Sequence, residues 1–289
     1  MEIKVNALTK NYGKKIALND LNITLENGIY ALLGPNGAGK TTFINILVGV
    51  LNPSDGEIMC DGIPVKKCER EFLGRIGYLP QTPSFYKQFT AADFLKYMGV
   101  LKGIEKERLE SEVDSLLEAV NLADVKKKRL GTFSGGMLQR IGIAEALLGD
   151  PELLIFDEPT AGLDPKERIR FKNLLSKLSK DKIIILATHI VPDVEFLANR
   201  VVLLKEGKLI SFDSPAKLIE GVKPYVWELS VGSDELDKYM NKLAISGAVY
   251  EEGFYRLHIV SAEKPAAGAV NVPPTLNDVY LNCFGEGNI

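Results

Sequence analysis

Cysteine is scarce in this chain of 289 residues: Cys60, Cys68 and Cys283 form an odd, widely spaced set without metal-ligand spacing. That excludes a disulfide-stapled scaffold and reads as reduced, packing thiols. Net charge is also lacking. Thirty-five Lys+Arg against 38 Asp+Glu leave −3, which argues against a broad nucleic-acid-binding face. Long apolar runs are missing too. The longest, Phe43–Leu51 (broken by Asn45 and Gly49) and Ile183–Ala187, fall far short of the ~18 residues that a membrane span needs. The opening Met-Glu-Ile-Lys-Val-Asn has no secretory apolar core. A membrane-embedded protein is excluded, and a membrane-associated subunit is not.

What is present is an ordinary globular composition, 46% hydrophobic and 25% charged, with no repeat and no low-complexity segment. Over the first 220 residues, short apolar runs alternate with stretches of helical period. Ile29–Leu33, Ile76–Leu79, Leu153–Phe156 and Ile183–Ala187 read as buried strands. Thr41–Val50, Ala91–Leu101, Lys106–Val120, Gly136–Leu148 and Pro165–Leu178 read as helices. The alternation predicts an α/β fold with a mostly parallel sheet between helices. Ile3–Leu8, Glu57–Cys60 and the pair Val201–Leu204 and Lys208–Ser211 read instead as half-exposed antiparallel strands. Beyond Pro215–Gly221 the texture shifts. Residues 221–289 carry nine acidic and five basic side chains and read as a small α+β appendage. Its expected elements are a strand Tyr225–Val231, a helix Asp234–Leu243, a hairpin about Glu252-Gly253, a loop Pro265–Pro274, and a last helix Leu276–Phe284 capped by Thr275.

The chemistry starts at Gly34-Pro-Asn-Gly-Ala-Gly-Lys40-Thr41, which follows an apolar strand and opens a helix. Gly37 and Gly39 permit backbone conformations that aim successive N–H groups at phosphates, and the helix start adds its positive dipole end. Lys40 can reach β- and γ-phosphates, and the Thr41 hydroxyl can ligate Mg²⁺. Leu153–Asp157 followed by Glu158 supplies the carboxylates. Asp157 is placed to hold Mg²⁺ through water, and Glu158 to orient or deprotonate an attacking water. Phe133-Ser-Gly-Gly-Met-Leu-Gln-Arg140 offers a second anion-binding surface, because Ser134 can cap a helix whose bare start is lined by glycine. A chain with one phosphate cradle has no evident need of another. The economical reading is a surface that covers a nucleotide held by a second copy, in a head-to-tail pair.

With these motifs in order, the chain resembles the ATP-binding cassette (ABC) ATPases over roughly residues 1–220. Gly34, Pro35, Asn36, Gly37, Ala38, Gly39, Lys40, Thr41 and Thr42 match the Walker A loop, Leu153–Asp157 matches Walker B, and Glu158 stands at the catalytic glutamate. Ser134, Gly135 and Gly136 match the core of the signature, whose usual Leu-Ser-Gly-Gly-Gln reads Phe-Ser-Gly-Gly-Met here. Tyr12 matches the adenine-stacking aromatic, and Gln81 the glutamine that touches Mg²⁺ and the attacking water. Ala161–Asp164 looks like the dimer-contact loop, which brings Asp164 to the nucleotide, and His189 matches the switch histidine. The resemblance implies a P-loop ABC core with an antiparallel β subdomain, a helical subdomain over about 85–150, and an accessory or regulatory domain at 221–289. It also implies Mg²⁺-dependent ATP hydrolysis, with Lys40, Gln81, Glu158 and His189 as catalytic groups and Thr41, Gln81 and Asp157 at the metal.

Two copies, most simply identical, would sandwich two ATP molecules and power a separate membrane permease. The chain would then sit at the cytoplasmic face of the membrane as a peripheral subunit, soluble in isolation and without nucleic acid. Phe85, Tyr86 and Phe89 read either as core or as a groove for a short helix of that permease. The run Lys126–Arg129 reads as a solvated face. The segment Pro274–Leu281 with Phe284-Gly285 is similar to the tails of subunits serving exporters. Two alternatives stand beside the exporter: a soluble ABC ATPase acting on ribosomes or nucleic acid, and a module that closes on ATP without hydrolysing it. Single-cassette organisation and negative charge speak against the former, Glu158 and His189 against the latter.

Overall fold

The computed structural model describes residues 1–285, so the last four residues of the expected appendage lie outside the described residues. The chain divides into two compact units. One comprises Met1–His189 with Val202–Ile210, the other Ile190–Val201 and the chain from Ser211 onward.

The first unit opens with strands β1 (Ile3–Tyr12) and β2 (Lys15–Leu25), a hairpin with alternating buried and exposed side chains. Strand β3 (Gly28–Leu33), buried throughout, leads into helix α1 (Lys40–Leu47). Strands β4 (Asp55–Cys60) and β5 (Ile63–Pro64) join the hairpin in an antiparallel sheet of order β2-β1-β4-β5. A short helix α2 (Glu69–Gly74) precedes β6 (Ile76–Leu79). Helices α3 (Ala91–Leu101), α4 (Lys106–Ala119) and α5 (Gly135–Leu147) follow, then β7 (Leu153–Asp157), α6 (Pro165–Leu178) and β8 (Ile183–Ala187). After a single turn α7 (Val191–Val194), which belongs to the second unit, strands β9 (Arg200–Lys205) and β10 (Lys208–Asp213) complete a six-stranded sheet, β10-β9-β3-β8-β7-β6. Within it β3, β8, β7 and β6 run parallel.

Strands β7 and β8 are buried at every position, which is why their sequences are unbroken apolar runs rather than alternations. Val201–Leu204 corrects a sequence expectation. They were expected to be half-exposed, and they are buried, because β9 lies inside the larger sheet next to β3. In α4, Leu109, Val113 and Leu117 recur every fourth residue and face inward. Each such leucine contributes about 1.5–3 kcal/mol by leaving water. Gly39 and Gly207 let strand β2 approach closely: a Cβ at either would lie 2.5 Å or 2.7 Å from the Ala17 carbonyl oxygen.

The second unit carries α8 (Pro215–Val222), β11 (Val226–Gly232), α9 (Leu236–Met240), β12 (Ala244–Glu251), β13 (Phe254–Val260), β14 (Val270–Asn271) and α10 (Leu276–Phe284). Its antiparallel sheet has the order β12-β13-β11-β14 over a core of Leu229, Val231, Leu257, Ile259 and Ala269. Residues 215–222, to which the sequence reading assigns no element, form a helix capped by Ser214, whose hydroxyl accepts from Lys217 N. The helix expected over 234–243 is confined to α9.

Candidate nucleotide site

Parallel pairing brings four strand ends to one edge of the larger sheet. Leu32 and Asp157 both face Ala187, and Leu79 faces Phe156. The chain leaving these ends carries the glycine loop, Glu158, His189 and Gln81. This edge is the customary ligand side of an open α/β sheet.

The loop is built for close backbone approach. A Cβ at Gly34 would lie 2.3 Å from the Leu204 carbonyl oxygen, and Gly37 and Gly39 adopt φ of +82° and +108°. Helix α1 starts at Gly39 with no side-chain cap, so its first N–H groups point into the loop. Lys40 folds back, its Nζ donating to Gly34 O at 2.6 Å and Pro35 O at 3.1 Å. Burial lowers its pKa, while the negative charges of Glu158 and Asp157 oppose that shift. A triphosphate would offer the ammonium stronger acceptors than these neutral carbonyls.

Asp157 and Glu158 are both buried. Burial pushes the Asp157 carboxyl upward, the Glu158 charge adds to the shift, and Lys40 opposes it. Glu158 takes the left-handed region, φ +53°, which a non-glycine residue rarely adopts. Its N–H donates to Ala187 O at 2.8 Å, and its carbonyl accepts from Ala161 N at 3.2 Å. The carboxylate accepts from Thr188 Oγ1 at 3.1 Å and His189 N at 3.0 Å, and it lies 2.8 Å from His189 Nδ1. Asp157, Thr41 and the exposed Gln81 each carry a side-chain oxygen, the donor type that a hard divalent cation takes. A buried carboxylate pair is likewise relieved by one.

At the second anion surface, Ser134 Oγ accepts from Met137 N at 3.3 Å, the cap that the sequence predicts. Ser134 and Gly135 are exposed, whereas Phe133 is buried, so its departure from the family's leucine is a packing substitution. None of the hydrogen bonds of Ser134–Gly136 reaches the Gly34–Thr42 loop among the described residues. Instead Gly136 packs on the Ala161–Asp164 loop: a Cβ there would lie 2.7 Å from Gly162 O. Asp164 caps α6, its Oδ1 accepting from Glu167 N at 2.9 Å.

Sequence reasoning missed two buried polar residues near this surface, Gln139 and Glu167. Gln139, 7% exposed, donates through Nε2 to Glu158 O at 3.3 Å and Pro159 O at 3.2 Å. Glu167 accepts from Asn121 Nδ2 at 2.9 Å and lies 3.6 Å from Arg140 Nη1, tying α5 to the start of α6. An amide among the apolar residues of α5 was the available signal.

Tyr12 ends β1 and is 47% exposed, with Lys10 Nζ 5.5 Å from its ring centroid. Tyr86, Phe89 and Tyr97 form a triangle of rings with centroids 5.5–5.8 Å apart. Phe85 packs edge-on against buried Phe94. The aromatics are thus divided between core and surface. In the basic run, Lys127–Arg129 are exposed, and Lys126 pairs with Asp114 at 2.7 Å.

Residues 18–161 match the family described as ABC transporter. The chain is similar to the bacitracin transport ATP-binding protein of Bacillus licheniformis, 43% identical over 211 residues, covering 72% of this chain and 68% of that protein. It is also similar to the Nod factor export ATP-binding protein I of a Rhizobium species, 33% identical over 295 residues, covering 98% and 97%. A dimeric ATP-binding cassette solved in a post-hydrolysis state with ADP and phosphate superposes with a TM-score of 0.66. It is 25% identical and covers 73% of this chain and 98% of its own.

Proposed function

The chain belongs to the ABC transporter ATP-binding family, whose reaction is ATP hydrolysis, and from that premise we propose that it powers a separate membrane permease as a homodimer, in an exporter. The observation that supports this most directly is the shared sheet edge, where the phosphate loop, Asp157-Glu158, His189 and Gln81 leave parallel strands side by side. In the proposal, residues 1–220 are the ATPase domain, with the helical subdomain at about 85–150, and residues 221–289 an accessory domain.

ATP lies with its phosphates on Gly34–Thr42, its adenine against Tyr12, and Ser134–Gly136 and Asp164 of the second copy over it. Lys40 leaves the Gly34 and Pro35 carbonyls for the β- and γ-phosphates. Thr41, Gln81 and Asp157 would hold Mg²⁺, which supplies charge neutralisation on the phosphates when bound. Glu158 orients the attacking water and takes its proton, and His189 responds to the γ-phosphate. Because the triphosphate touches both copies, ATP favours the closed pair and hydrolysis releases it. Export is supported by the name of the Nod factor export relative and by the tail similarity; with a permease partner, the chain sits on the cytoplasmic face of the membrane.

Glu158→Gln tests the reading. The variant should bind ATP, lose turnover by about a hundredfold or more, and accumulate as an ATP-dependent dimer on size-exclusion chromatography. A variant that remains monomeric with ATP present would overturn the sandwich. Detergent-dependent co-purification of a hydrophobic partner tests the permease, and RNA in its place would favour the soluble alternative.

A further inference from the structure

Helix α5 buries seven residues, of which Gln139 alone carries a polar side chain. A methionine or leucine would fill that place without desolvating an amide, so the contacts of the amide are what the position retains. Both go to the backbone just after Asp157, at the carbonyl oxygens of Glu158 and Pro159. Glu158 is also the residue in the left-handed conformation, φ +53°. That conformation persists only where surroundings over-determine it, and here they do so from three sides. Ala187 O receives the Glu158 N–H, the carboxylate is held by Thr188 and His189, and the carbonyl is held by Ala161 N and Gln139. The direction in which the Glu158 side chain leaves the backbone therefore depends on where α5 stands.

The start of α5 is the other half of the argument. Ser134 caps it, and Gly136 lies against Gly162 O of the loop that continues from Pro159. One rigid helix thus carries the surface assigned to the second copy's ATP at its tip and, about one turn further on, the donor that fixes Glu158. We propose that Gln139 is a positioning residue that links these two places. When Ser134–Gly136 closes on the triphosphate of the second copy, α5 shifts as a body, and Gln139 sets the aim of Glu158 toward the water at its own site. Each site would then be armed by the closure of the other. This inference rests on the functional reading above and adds the route by which closure reaches the carboxylate.

The test uses the full-length chain with Mg·ATP and two substitutions. Gln139→Met keeps the volume and removes the donor. Gln139→His returns an N–H at comparable reach. Phosphate release, equilibrium ATP binding and the thermal unfolding midpoint are measured for both, beside the unaltered chain and Glu158→Gln. The expected pattern for Gln139→Met is kcat lowered about tenfold, with ATP affinity within about twofold and an unfolding midpoint close to that of the unaltered chain. Gln139→His should recover most of the rate. A packing role would lower stability in both variants without this split. The inference is overturned if Gln139→Met turns over normally, or if Gln139→His is no faster than Gln139→Met. Absence of turnover in the unaltered chain would instead overturn the functional reading and carry the inference with it.

Discussion

His189 Nδ1 lies 2.8 Å from Glu158 Oε1, and the same carboxylate oxygen accepts from the His189 backbone N–H at 3.0 Å. An ionised carboxylate only accepts, so with Glu158 in that form the contact requires a ring proton on Nδ1. A neutral imidazole has a single N–H, which leaves Nε2 without a proton to offer. A γ-phosphate can then receive a hydrogen bond from neutral His189 only if Glu158 gives up the ring. In the proposed mechanism, engagement of the histidine with the phosphate and release of the carboxylate toward water would be one event.

His189→Ala removes that exchange and leaves Glu158 held by Thr188 and the backbone. The expected result is a fall in turnover of about tenfold or more, with ATP binding little changed. Single-turnover phosphate release beside equilibrium binding checks it. Turnover close to that of the unaltered chain would remove His189 from the mechanism.

Glu145 lies on α5, where burial raises its carboxyl to about 7, with Lys102 opposing the shift. Burial also lowers the pKa of Lys102, whose Nζ donates to Leu148 O at 3.0 Å. The folded chain therefore binds the Glu145 proton more tightly than the unfolded chain does. The stability it contributes is complete below the unfolded value near 4.5 and is lost as pH rises through about 7. Glu145→Gln should consequently raise stability at pH 8 by on the order of 1–3 kcal/mol and leave it unchanged near pH 4. Urea titrations at the two pH values read this directly.

Gly136→Ala would place a methyl group 2.7 Å from the backbone oxygen of Gly162. Neither partner is the flexible end of a side chain, so the start of α5 must move from the loop. Overpacking of this kind costs about 1–3 kcal/mol, and ATP turnover should fall by more than stability does. Parallel assays of turnover and thermal unfolding separate the two.

Asp278, fully buried, closes a capping box at α10: its Oδ2 accepts from Thr275 N at 2.7 Å and Thr275 Oγ1 at 2.9 Å. Its other oxygen accepts from Ser246 Oγ on β12, and His258 Nε2 lies 3.6 Å away. Asp278→Ala should destabilise the second unit by about 2–3 kcal/mol, because it removes a cap and leaves buried polar groups unpaired. Faster amide hydrogen exchange in α10, with exchange in β7 and β8 unaltered, is the expected signature.

Where local chemistry suffices, sequence and structure agree closely. Ala91–Leu101 and Pro165–Leu178 were legible to the residue, because Thr90 and Asp164 cap them and the apolar period fixes their inner face. Thr275 likewise announced α10. Strand β9 was misjudged, because a short strand's burial depends on which neighbours it acquires, not on its own four apolar residues. Helix α8 was missed for a related reason: Pro215 and Gly221 look like breakers, yet proline is tolerated in a first turn, and Gly221 stands one residue from the end.

The sequence by itself determined the phosphate loop, the paired carboxylates, the capped signature helix and the order in which they occur. Backbone conformation, charge and capping are written within a few neighbouring residues. Only tertiary structure decided that Glu158 is left-handed, that His189 holds its carboxylate, and that Gln139 holds its carbonyl from 19 residues away. Those relations arise where parallel strands end side by side and a helix crosses beneath them. Nothing local to any one segment specifies which distant donor a buried carbonyl will meet.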